Sequence, residues 1–80
     1  MPEINYSELK PGAIIVYHLR PEQLPTDPMR DWRGKVKSVY NSCNGVRVEV
    51  LNEGFEGEEE PVYFQQIVRI EHAEHIVSNL

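Results

Sequence analysis

The 80 residues contain a single cysteine, Cys43, so no internal disulfide can staple the chain. A reducing, cytoplasmic setting is the expectation that goes with this cysteine usage. Long hydrophobic runs are missing as well: the longest, "AIIVY" (13–17), has five residues, far short of the roughly 20 needed to cross a bilayer. The opening "MPEINYSELK" lacks a basic start followed by an apolar stretch, so no secretion signal is expected there. Basic residues are scarce, 8 Lys and Arg against 13 Asp and Glu, for a net charge of −5. That balance argues against a general nucleic-acid binder, because neutralising phosphates requires a basic surface. No nucleophile motif, phosphate-cradling glycine loop or dinucleotide fingerprint is present. A chain this short also lacks the depth for the concave pocket that most enzymes use, so no catalysis and no cofactor are expected.

What is present is divided by charge. Residues 30–47 carry Arg30, Arg33, Lys35, Lys37 and Arg47 against Asp31 alone, a balance of +4. Residues 49–74 carry eight glutamates against Arg69 alone, a balance of −7. Size allows one domain over residues 1–80. "LKPG" (9–12) has proline and glycine where a type II turn needs them. The β-branched and aromatic run "AIIVYHL" (13–19) then predicts a strand. Ile14, Val16 and His18 share one face of it, and Ile15, Tyr17 and Leu19 the other. Three prolines in "RPEQLPTDPMRD" (20–31) predict a long, stiff loop, a length that in a small domain is often functional.

"WRGKVKSVY" (32–40) and "VRVEVL" (46–51) flank "NSCNG" as a hairpin. With Asn44-Gly45 as a two-residue turn, Val39 opposes Val50, and Val36 falls on the wrong face unless a bulge intervenes. With all five residues in the loop, Tyr40 pairs with Val46, Ser38 with Val48 and Val36 with Val50. Lys37 then lies opposite Glu49 on the other face. The second register sorts inside from outside without a bulge and is preferred. "NEGFEGEEE" (52–60) reads as an acidic connection, "PVYF" (61–64) as a short strand, "QQ" as a tight or 3₁₀ turn, and "IVRI" (67–70) as the last strand. The tail 71–80 spaces Ala73, Ile76, Val77 and Leu80 as a helix would, and is expected to be helical only if it docks.

Three stretches carry a family resemblance. "SELKPGAIIVYH" looks like the turn that launches the first strand of the Src-homology-3-like (SH3-like) small barrels, which include Tudor and KOW-type domains. "GKVKSV" is similar to the G-x-V-x-x-V opening of a KOW-type strand, and "PVYFQQIVRI" to a fourth strand, 3₁₀ turn and fifth strand. The resemblance covers about 7–70. It implies an all-β fold: a small five-stranded antiparallel barrel, here followed by a short C-terminal helical tail. The first loop holds Glu22, Asp27 and Asp31 but no aromatic before Trp32, unlike the peptide-binding branch of that group.

Small barrels of this kind bind through aromatics at loop mouths, since flat rings stack on prolines, bases or alkylammonium groups. The candidate ligand-binding residues are Tyr17, Trp32, Tyr63 and Phe64, with Trp32 expected to be exposed. The alternative site is a basic strip of Arg33, Lys35, Lys37 and Arg47 for nucleic acid, whose bland counterpart is a solvated face neutralised by Glu49 and the glutamate loop. The glutamates lack the alternation of a calcium loop, and His72 and His75 with a distant His18 do not make a zinc site. Cys43 has no basic neighbour in sequence to activate it. The expectation is a non-catalytic module that docks a protein partner through its loop aromatics and charge-divided surface, with nucleic-acid binding as the alternative and no membrane or metal.

Overall fold

The "LKPG" turn forms as the sequence predicts. Pro11 and Gly12 occupy its corner, Gly12 at φ +99°, and the Ala13 N–H donates to the Lys10 carbonyl at 3.0 Å. It delivers the chain into a sheet of five antiparallel strands: β1 (Ile14–Tyr17), β2 (Trp32–Tyr40), β3 (Gly45–Val50), β4 (Glu59–Tyr63) and β5 (Ile67–Glu71). Short 3₁₀ turns occupy Tyr6–Glu8, Asn41–Cys43 and Phe64–Gln66. The computed structural model describes residues 4–27 and 29–71. The helical tail expected from residue 71 lies outside them, except that Glu71 itself ends β5.

The strand order is β4-β3-β2-β1-β5, so β4 and β5 are the edges and the sheet is not closed into a barrel. The expected closure by strand pairing is corrected in this respect. The 3₁₀ turn instead carries the chain from one edge to the other. Phe64 N–H donates to the Asn44 carbonyl at 2.7 Å, and His18 N–H donates to the Gln66 carbonyl at 3.0 Å. The Gln66 side chain completes the strap, accepting from Tyr63 N–H at 2.9 Å and donating to the His18 carbonyl at 3.0 Å.

Both expected hairpin registers give way to a third. Val36 opposes Val48, Val39 opposes Val46 and Tyr40 opposes Gly45, with an extra residue in β2 at Lys37. The cause lies in the valine spacing. Val36 and Val39 are three apart, which a period of two cannot place on one side; a bulge can. The loop is therefore Asn41–Asn44, closed by Asn44 in the left-handed region at φ 55°. Lys37 stays outside, 3.4 Å from Glu49, so the expected ion pair survives the change of register. Tyr40, placed inward by the preferred register, is exposed instead.

Inside the curl, Leu9, Ile15, Tyr17, Trp32, Val36, Val46, Val48, Val50, Val62 and Ile67 form one buried cluster, with Val39, Leu24 and Phe64 packed against it. Burying such side chains supplies about 25 cal/mol per Å² of apolar area. Leu24 pins the proline-rich loop to this core. Gly34 faces inward, and a methyl group there would meet Val48 Cβ at 2.8 Å and the Tyr17 ring at 3.2 Å. Only glycine lets β2 pass that close.

Candidate functional site

The four candidate aromatics separate into two pairs. Tyr17 is fully buried, its hydroxyl donating to Glu60 Oε2 at 2.6 Å across the core. Burial first, then the hydrogen bond and charge of Glu60, push this phenol far above its ordinary 10.0. Trp32 is 6% exposed, which corrects the expectation of a surface ring. β2 begins at Trp32, and the strand's alternation turns it inward beside Gly34 and Val36. The Arg30 guanidinium lies 4.6 Å from its ring centroid, and Phe55, from the acidic loop, meets its edge at 5.2 Å. Its indole Nε1 is buried without a hydrogen-bond partner among the described residues. Neither Tyr17 nor Trp32 offers a ring face to a ligand.

Tyr63 and Phe64 are differently placed. They sit where β4 passes into the 3₁₀ strap, and Tyr63 remains 44% exposed. Tyr6, from the first 3₁₀ turn, stacks on Phe64 with centroids 4.9 Å apart and planes inclined by 15°. The Asn5 side chain caps that turn, accepting from Ser7 N–H at 3.1 Å, which fixes the approach of Tyr6. Tyr6, Tyr63 and Phe64 line a groove of about 640 Å³ together with Cys43, Asn44 and Gln65. Among the described residues no formally charged side chain is in that lining. The sequence reading missed Tyr6, Cys43, Asn44 and Gln65 as site residues. Asn5, a capping residue type placed just before Tyr6, is a signal that could have indicated the turn, but only the tertiary fold brings Tyr6 to Phe64.

The basic strip exists but is largely compensated. Arg33, Lys35, Lys37 and Arg47 are all exposed on the outer side of the sheet. Arg33 reaches across β1 and makes two 3.0 Å bonds to Glu71, Lys37 meets Glu49 at 3.4 Å, and Arg47 meets Glu59 at 2.9 Å. The hydrogen bond from Arg33 holds the Glu71 carboxyl below its ordinary 4.5, against a smaller opposing effect of burial. Among the described residues no three His, Cys, Asp or Glu side chains gather as a metal site, and no helix is long and apolar enough to cross a membrane. The Cys43 thiol is exposed, 3.6 Å from the Tyr40 carbonyl.

No protein-family model matches the chain, and neither a curated protein nor a solved structure matches it either.

Proposed function

We propose that this chain is a non-catalytic interaction module of Src-homology-3-like architecture that docks a protein partner on the groove of Tyr6, Tyr63 and Phe64. What supports the architectural part is the order of elements: a long loop after the first strand, a bulged central hairpin, and a 3₁₀ strap before the last strand. What carries the docking part is a single observation. In an acid-rich chain, half-exposed aromatic rings line a groove whose described residues carry no formal charge, on short turns fixed by hydrogen bonds. Rigid aromatic anchors of this kind lose little side-chain entropy on binding and bury large apolar area. The adjacent amides of Asn44 and Gln65 are suited to the backbone of an extended segment. The test compares the full chain with its Tyr63→Ala variant in retaining partners from a cell extract. The ring is exposed on an edge strand, so the variant keeps the unfolding transition of the parent and loses the retained proteins. An unchanged set of retained proteins would rule the groove out.

A further inference from the structure

The aromatic groove continues past Gln65. That residue also lines a second groove of about 680 Å³, walled by Leu19, Pro21, Met29 and Val68 and bearing His18 and Arg20. Arg20 stands at the junction, its guanidinium 5.8 Å from the centroid of the Tyr63 ring in the first groove. Among the described residues, the two linings hold one arginine and one histidine but no aspartate or glutamate, in a chain with 13 Asp and Glu against 8 Lys and Arg. Arg20 and His18 do have carboxylate partners, Glu22 at 3.6 Å and Asp31 at 2.9 Å, but neither partner lines a groove. Each carboxylate is the more exposed member of its pair, at 68% against 45% and 56% against 22%. The acids face solvent, while the nitrogen-bearing groups face the grooves.

Resting on the docking proposal above, we infer that the partner segment is acidic: a carboxylate that meets Arg20, with apolar side chains on either side seated in the two grooves. A basic segment would bring like charge to Arg20 and find no acceptor carboxylate among the described residues of either lining, a mismatch that disfavours wrong partners. The flanking apolar residues follow from the ring-lined groove on one side and the Leu19–Met29–Val68 wall on the other. Arg20 already lies against Tyr63, so a carboxylate meets a guanidinium whose position is set before binding.

The experiment selects random-sequence peptides displayed on phage against the immobilised full chain, then measures the enriched peptides as synthetic, blocked molecules. Enriched sequences are expected to carry a glutamate or aspartate between apolar residues and to be depleted in lysine and arginine. Arg20→Gln should weaken them by about 2- to 5-fold, the range for a partly exposed ion pair, and Arg20→Glu should shift the enrichment to basic peptides. Enrichment that depends on Tyr63 but is basic, or indifferent to charge, overturns the acidic partner and leaves the docking groove standing. No enrichment, or enrichment untouched by Tyr63→Ala, removes both. Two other occupants have their own signatures. Tighter peptide binding by the full-length Ile76→Ser, Leu80→Ser variant would assign the grooves to the chain's own tail. Sedimentation as a dimer that Tyr63→Ala dissociates would assign them to a second copy. Either result overturns the inference.

Discussion

At the scale of single residues, Gly34 and Tyr17 are the positions where the core is least forgiving. The Cβ of an alanine at 34 would come within 2.8 Å of Val48 Cβ, on backbone that cannot withdraw without disturbing β2 and β3. Gly34→Ala is therefore expected to cost about 1–3 kcal/mol, read from the midpoint of denaturant unfolding. Trp32→Ala removes a buried ring and is expected to cost about 3–5 kcal/mol, against a total stability on the order of 4–12 kcal/mol for a chain this size. Near-complete loss of the cooperative transition in that variant, with Arg30→Ala nearly silent, would confirm Trp32 as core rather than surface. Tyr17 makes the fold sensitive to alkali. Its folded-state pKa lies above the unfolded value near 10.0, so its contribution is complete below that pH and is lost as pH rises beyond it. In a pH series of melting curves, the parent should lose stability above about pH 10. Tyr17→Phe should lose less there, while starting about 1 kcal/mol lower at neutral pH for the missing hydrogen bond to Glu60.

At the scale of elements, the sheet's two edges are protected by different means. β4 carries Pro61, which has no N–H to offer a neighbour, together with Glu59 and Glu60. β5 is interrupted where Val68 is skipped between the Arg69–Val16 and Ile67–Tyr17 pairs. Such edges resist pairing with other chains. The strap between them depends on one side chain. Gln66→Ala removes a bond to Tyr63 N–H and another to the His18 carbonyl. It is expected to cost about 1–3 kcal/mol and to raise amide exchange at Tyr63 and Phe64 before the rest of the sheet, as read by hydrogen exchange. Much of this level was legible beforehand. The β2 boundaries follow from the valine-rich run, the first turn from Pro11-Gly12, and the final 3₁₀ turn from the break between "PVYF" and "IVRI". The register was not, because alternation is a one-strand rule and the bulge at Lys37 is a compromise between two strands. Val36 and Val39 signal it by their odd spacing, but which loop length accompanies it depends on Asn44 adopting φ 55°.

For the whole molecule, charge is the property most easily misread from the sequence. The block of +4 and the block of −7 interleave in space. Arg47 pairs with Glu59, Lys37 with Glu49 and Arg33 with Glu71, so the separation along the chain becomes a row of neutralised pairs. Two measurements follow. In titrations against mixed DNA and RNA, binding is expected to be absent even at low ionic strength, where phosphate contacts are strongest. On acidification, the Arg33–Glu71 bridge should contribute fully above the ordinary carboxyl value of 4.5 and be lost as pH falls below it. Glu71→Gln should flatten that part of the pH–stability profile while changing neutral-pH stability by less than about 1 kcal/mol, as befits an exposed pair.

The candidate site belongs to this largest scale. Tyr63 and Phe64 could be named from the sequence as aromatics beside a turn, but so could Trp32 and Tyr17, and composition does not say which rings face water. Local chemistry in the chain was enough to determine an all-β domain, most strand positions, the turn at Gly12 and the inward valines, because turn residues and β-branched runs act on their immediate neighbours. Only the tertiary structure decided that Trp32 is covered by Arg30 and Phe55, that Tyr6 comes from 58 positions away to stack on Phe64, and that Arg33, Lys37 and Arg47 each meet a glutamate. Burial and pairing are set by the curl of the whole sheet, and no single segment holds that information.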